Sequence, residues 1–181
     1  MPPSLLMQSL EQVWKLLRPF EDRFAIAGGL AVSYWGFARS TQDIDIAIAI
    51  QDSTSFDAFL RSNGMFPAKA RHITSLGSLQ VSQWSLTLPD SYVDIDVDFL
   101  VSQSEFHGLV LDRAVTGSFQ GVECPVRILS CEDLILFKAV AGRMIDLADI
   151  EELIHLHRDR LDRDYLTLWA AKLGVSLNKF S

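Results

Sequence analysis

The chain has 181 residues, a net charge of −7, 49% hydrophobic and 22% charged residues. That length and balance suit one soluble unit with a substantial core. The acidity excludes broad, non-specific binding to nucleic acid, which needs a basic surface, although a local basic patch stays open.

Leu5 to Leu17 has helical periodicity, with Leu6, Leu10, Val13 and Leu17 on one stripe. Phe24-Ala25-Ile26-Ala27 is a short apolar run cut off by Gly28-Gly29, the pattern of a buried strand ending in a tight turn. Leu30 to Phe37 reads as a short helix and Thr41 to Ile50 as a strand, alternating at first and apolar later. Ser55 to Asn63 reads as a helix stopped by Gly64. His72 to Leu88 reads as a hairpin turning at Gly77-Ser78, Tyr92 to Val101 as an acidic strand, and Gly121 to Leu129 as carrying a further short strand.

Beyond that the pattern is helical. Ser130 is placed to cap a helix, with Asp133 in the reciprocal capping position. Helical periods run from Asp133 to Arg143, Asp146 to Arg158 and Asp164 to Leu173, where Gly174 stops them. The expected organisation is therefore a mixed α/β core over residues 1–130 and a helical segment over 131–181 packed onto it. The first residues, Met1-Pro2-Pro3-Ser4-Leu5, have neither a basic stretch nor a long apolar one. No apolar run approaches the ~20 residues of a membrane span, so a cytoplasmic location is expected. Cys124 and Cys131 lack metal-ligand spacing and are too few for a disulfide scaffold, so both are expected as free thiols.

The chemistry lies in the acidic strands. A strand has a side-chain period of two, so Asp43 and Asp45 share one face while Ile44 and Ile46 take the other. Asp94, Asp96 and Asp98 likewise share a face. If the two strands lie side by side, they form a carboxylate cluster able to hold divalent metal against phosphates. The three later aspartates span about 13 Å, too far for all to reach one metal pair. Antiparallel pairing would favour Asp98 with Asp96 next, parallel pairing would favour Asp94, and Asp98 is the preferred third carboxylate. The competing interpretation is two solvated faces of an antiparallel sheet. Gly28-Gly29, about fifteen residues before Asp43-Ile44-Asp45, weighs against it, because such a turn lets backbone and a helix N-terminus approach a phosphate.

These residues resemble the nucleotidyltransferase superfamily, built on a polymerase-β-like core. The likeness lies in Gly28-Gly29, Asp43-Ile44-Asp45 and Asp98. Gly28-Gly29-Leu30-Ala31 and Arg39-Ser40-Thr41-Gln42-Asp43-Ile44-Asp45 look like the branch of AbiEii-type toxins and small stand-alone nucleotidyltransferases, as does the stretch Glu132-Asp133-Leu134 through Lys138, Arg143, Asp146 and Asp149-Ile150. The resemblance covers roughly residues 24–154. It departs at Gly36-Phe37, where many relatives carry His-Gly, and in the triple acidic strand.

The resemblance implies an α+β fold: a mixed sheet, helices packed on one face, and a helical C-terminal extension. It implies transfer of a nucleoside monophosphate from a nucleoside triphosphate such as ATP to an acceptor hydroxyl, with release of pyrophosphate. Asp43 and Asp45 would hold Mg²⁺ or Mn²⁺, and Asp98, with Asp96 nearby, would complete the site and help deprotonate the acceptor. Gly28, Gly29, Arg39, Thr41 and Lys138 would bind the nucleotide, and Lys138 would also neutralise the departing phosphates. A surface lysine beside a core helix is the plain alternative for Lys138, and an ion pair fixing a helix junction is the preferred one for Arg143 and Asp146. Thr41 would either position Asp43 or cap a turn.

The acceptor stays open between RNA or protein, in which case the chain could be the toxin of a toxin–antitoxin pair with an antitoxin partner, and a small molecule of aminoglycoside or lincosamide type. A non-catalytic nucleotide- or antitoxin-binding module is a third reading, disfavoured because every acidic position is present. The scattered His72, His107, His155 and His157 do not suggest a zinc site. Arg158, Arg160, Arg163, Lys172 and Lys179 interleave with Asp159, Asp162 and Asp164 as a solvated face, or alternatively as an RNA-contacting edge.

Overall fold

The computed structural model describes residues 3–69, 73–76, 79–102 and 104–177. The expected turn at Gly77-Ser78, together with His72 and Lys179, lies outside the described residues.

The first helix, α1 (Leu5–Leu17), buries Leu10, Val13, Trp14 and Leu17 along the expected stripe, and the Ser4 hydroxyl caps it by accepting the Met7 N–H at 3.3 Å. A 3₁₀ turn, Arg18–Arg23, leads into β1 (Phe24–Ile26). Then come α2 (Gly28–Tyr34), β2 (Ile44–Ile48), α3 (Ser53–Ser62), β3 (Phe66–Pro67), β4 (Ile73–Leu76), β5 (Leu79–Thr87) and β6 (Asp94–Val101). The chain continues through α4 (Glu105–Asp112), β7 (Val115–Gly117), β8 (Val126–Ile128), α5 (Cys131–Ala141), α6 (Met144–His157) and α7 (Arg163–Leu173).

Among the described residues these strands form one mixed sheet in the order β3-β5-β6-β2-β1-β8-β7, with β4 also paired to β5. The β2–β6 and β1–β8 pairs are parallel and the rest antiparallel. Paired residues share a face, which sorts the sheet into two unlike surfaces. One carries Phe24, Ile26, Ile46, Trp84, Val97 and Phe99, all buried. The helices α1 and α3 close over it: Trp14 meets Phe24 edge-on at 4.5 Å, Phe56 meets Phe99 at 5.1 Å, and the Arg61 guanidinium lies 5.2 Å from the Trp84 ring. The other surface carries Asp45, Asp98, Asp96 and Asp94.

Among the described residues, the 3₁₀ turn, the two-residue β3, α4 and β7 escaped the sequence reading. The helix α4 contains Gly108, which costs about 1 kcal/mol in a helix interior, yet burial of Phe106, Val110 and Leu111 outweighs it. The strand β7 is only three residues long and takes its register from β8. Elsewhere the corrections are of extent: β2 is confined to Ile44–Ile48, and α2 begins at Gly28 itself.

The C-terminal helices are tied down by buried polar contacts. Four successive residues of α5, Leu134 to Phe137, are all buried, as suits an internal helix. Ser130 caps α5, its hydroxyl accepting the Asp133 N–H at 3.2 Å. The expected return bond from the Asp133 carboxylate is not its role. Asp133 is wholly buried and accepts from the Ser130 hydroxyl at 2.6 Å, from Arg113 Nε at 3.1 Å and from the Tyr165 hydroxyl, joining α5 to α7. Burial raises its carboxyl above the usual range despite these donors. Cys131 is buried and free, its thiol pushed up to about 12 by burial, while Cys124 is free and half-buried. No helix among the described residues is long and apolar enough to cross a membrane.

Candidate active site

Parallel pairing of β2 with β6 sets Asp45 directly beside Asp98, in the register that also pairs Ile44 with Val97 and Ile46 with Phe99. The sequence argument reached Asp98 through antiparallel pairing and assigned Asp94 to the parallel case. Both steps are corrected here, because the short β2 meets the second half of β6 and leaves Asp94 beyond its end.

The neighbouring strand β5 separates the three aspartates of β6. Thr87 donates to Asp94 Oδ1 at 2.6 Å and Ser85 to Asp96 Oδ1 at 2.7 Å, and both carboxylates are exposed. Asp98 is half-buried, and Gln83 Nε2 reaches it only at 3.3 and 3.4 Å. Two aspartates thus have short hydroxyl partners, while the third is left with long amide contacts. The signal was present in the sequence, since Gln83, Ser85 and Thr87 alternate in step with Asp98, Asp96 and Asp94.

The Gly-Gly turn is shaped around the carboxylate. Gly28 has φ of 53°, and a β-carbon there would lie 1.7 Å from Asp45 Oδ2. A β-carbon on Gly29 would fall 2.8 Å from Thr41 Cβ and Oγ1. The Gly29 N–H, at the start of α2, donates to Asp45. Thr41 Oγ1 donates to Asp43 Oδ1 at 2.6 Å, fixing that carboxylate just before β2 begins.

Burial first, then the charges of Asp43 and Asp98, push the Asp45 carboxyl up to about 7, against the opposite pull of Lys138 and the Gly29 N–H. Asp98 is raised as well, by burial above all and by Asp43 and Asp96, while Gln83 and the charge of Lys69 pull it down. The cluster is short of positive charge. Among the described residues no three His, Cys, Asp or Glu side chains are placed to hold a metal ion by themselves. An open set of hard oxygen donors is still what Mg²⁺ accepts, since it takes one or two carboxylates and completes its shell with water and phosphate.

The nearest cations form a chain. Lys138 is 3% exposed, and its Nζ lies 2.6 Å from Asp149 Oδ2 and 3.2 Å from Asp146 Oδ1. Arg39 Nη1 reaches the same Asp149 oxygen at 2.7 Å. Arg143 holds Asp146 with Nε at 2.6 Å and Nη2 at 3.1 Å, and caps α6 by its own N–H. Burial works against ionisation of Asp146, but Arg143 and Lys138 outweigh it and hold the carboxyl below the usual range. A cavity of about 150 Å³ brings Gly28, Asp45, Gln83, Asp98, Lys138, Arg143 and Asp146 together. Beside it a groove of about 790 Å³ is walled by Arg39, Thr41, Asp43, Asp94 and Asp96. Arg143 was read from the sequence only as half of an ion pair; its place on the cavity wall depends on how α6 packs.

No protein-family model matches the chain, and no curated protein does. Solved structures do match its fold. A structure described as a nucleotidyltransferase from H. pylori superposes with a TM-score of 0.55 at 14% identity, covering 98% of this chain and 80% of that one. Another, from Thermotoga maritima, gives 0.52 at 15% identity over 86% of this chain and 96% of that one. ANT(2")-Ia, solved in complex with adenylyl-2"-tobramycin, gives 0.53 at 14% identity over 98% and 100%. The chain therefore has the nucleotidyltransferase fold, a mixed sheet with helices and a helical C-terminal part.

Proposed function

We propose that the chain is a nucleotidyltransferase, which moves a nucleoside monophosphate from a nucleoside triphosphate such as ATP to an acceptor hydroxyl. The observation that supports this best is the register of Asp45 against Asp98 with Asp43 close to both, an under-neutralised carboxylate cluster on the open face of a sheet with this fold. Asp43, Asp45 and Asp98 would hold Mg²⁺ or Mn²⁺, with Asp96 at the margin. Bound there, the ion would supply charge that offsets the triphosphate and acidifies an acceptor hydroxyl.

The residues themselves divide the remaining work. Thr41 orients Asp43, and the bare backbone at Gly28 and Gly29 leaves room for a phosphate beside Asp45. Asp98, raised above the ordinary carboxylate range, takes the acceptor proton as the acceptor oxygen bonds to the α-phosphorus. The bond between the α-phosphorus and the bridging oxygen breaks, and pyrophosphate leaves. Arg39 and Lys138 add positive field next to the carboxylates.

For the acceptor, the groove beside Asp43 supports a small cationic molecule. Its walls carry Asp94 and Asp96 as well as Asp43, and Arg39, the one cation among its described lining residues, is already paired to Asp149. An RNA or protein acceptor, with the chain as a toxin that an antitoxin protein restrains, rests on the sequence resemblance alone. Incubation with labelled triphosphates, Mg²⁺ and either total tRNA, protein substrates or an aminoglycoside panel tests the reading. Label is expected in one acceptor class, and the Asp43→Ala/Asp45→Ala double variant should abolish it. Labelling by that variant would refute the assignment of the metal site.

A further inference from the structure

We propose that Arg143, and not Lys138, is the side chain that meets the phosphates of the nucleotide; this rests on the nucleotidyltransferase reading above. Four cations act on the carboxylate cluster: Lys69 reaches Asp98 from outside the cavity, and the surroundings of the other three separate them. Lys138 is 3% exposed, and its ammonium is held by both Asp146 and Asp149. A lysine in that state cannot reach a ligand without leaving two buried carboxylates behind it. Arg39 gives Nη1 to Asp149 and lines the groove beside Asp43, outside the cavity that contains Asp45 and Asp98.

Arg143 differs from Lys138 in exposure and in having a donor to spare, although both line the cavity, and from Arg39 in lining it. Its side chain is 58% exposed, and it lines the same cavity as Gly28, Asp45 and Asp98. The charges of Asp45 and Asp43 both act on its guanidinium. Nε and Nη2 are taken up by Asp146, leaving Nη1 with no partner among the described residues. A guanidinium fork can hold a carboxylate along one edge and present its remaining donors to a phosphate, which a single ammonium group cannot do. Asp146 then serves as the clamp that aims the fork, and Lys138 keeps Asp146 ionised from behind.

The test is calorimetric titration of the full chain with inorganic tripolyphosphate, with and without Mg²⁺, followed by the Km for the triphosphate. The wild type is expected to bind tripolyphosphate. Arg143→Gln should weaken that binding at least tenfold and raise Km by a similar factor, beyond what the loss of folded protein from unpairing Asp146 accounts for. Arg143→Lys should recover only part of the loss, because one ammonium cannot serve Asp146 and a phosphate together. Unchanged tripolyphosphate affinity in Arg143→Gln would overturn the proposal whatever Lys138→Met does. A wild type that binds neither tripolyphosphate nor any nucleoside triphosphate would overturn the nucleotidyltransferase reading and this inference with it.

Discussion

The Asp45 carboxylate lies against the backbone of Gly28 so closely that a single added β-carbon would fall 1.7 Å from Oδ2. Because Gly28 also has φ of 53°, both its backbone angle and its surroundings require glycine. Gly28→Ala is expected to cost roughly 1–3 kcal/mol through strain. It should also displace Asp45, so nucleotidyl transfer should fall by far more than the loss of folded protein explains. Urea unfolding beside a labelling assay checks this, and a fully active Gly28→Ala would show that the carboxylate position is not needed.

Asp45 also sets a pH dependence. Its carboxyl titrates at about 7 in the fold, against 3.8 for the ordinary group, so between these values the folded chain holds a proton that the unfolded chain releases. Stability from this group is therefore lost as pH rises from about 4 to about 7, by up to about 4 kcal/mol. In metal-free buffer Asp45→Asn should match the wild type near pH 4 and exceed it at pH 8. Added Mg²⁺ should raise the melting temperature of the wild type only, and more at pH 8 than at pH 6, where the proton competes.

His107 works in the opposite direction. It is 1% exposed, its Nε2 lies 3.0 Å from the Ile48 carbonyl, and Nδ1 has no partner among the described residues. Since a carbonyl only accepts, Nε2 carries the proton and donates. Burial lowers the imidazole from 6.5 to about 4. The unfolded chain binds the extra proton first on acidification, so this group removes stability as pH falls from 6.5 to about 4, by roughly 3 kcal/mol. Urea unfolding at pH 7.5 and 4.5 should show a smaller loss in His107→Gln than in the wild type. An equal loss in both would mean that His107 is already charged or is freely hydrated in the fold.

Lys138→Met should be the most damaging change in the cation chain. It leaves Asp146 and Asp149 buried at 1% exposure each, with Arg143 and Arg39 as their remaining partners. Removing one member of a buried ionic network costs about 3–5 kcal/mol. Chemical denaturation measures this directly, and a loss below about 1 kcal/mol would mean that the two arginines suffice.

Much of the geometry of this candidate site was legible before any fold was known. The period of two put Asp43 and Asp45 on one face and Asp94, Asp96 and Asp98 on another, and the helical stripe of Leu10, Val13 and Leu17 is buried as the spacing requires. The choice of Asp98 over its neighbours was reached by the wrong pairing direction. Alternation is identical for parallel and antiparallel neighbours, so no residue pattern could have decided it.

Side-chain type and spacing alone determined which carboxylates share a face, where the glycines interrupt the chain and which segments coil, because these depend on backbone geometry within a few residues. Only the tertiary structure decided that Asp45 faces Asp98, that Lys138 is buried between two carboxylates, and that Arg143 shares their cavity. Those relations join segments far apart in sequence, and they are set by strand register and helix packing, which local periodicity does not encode.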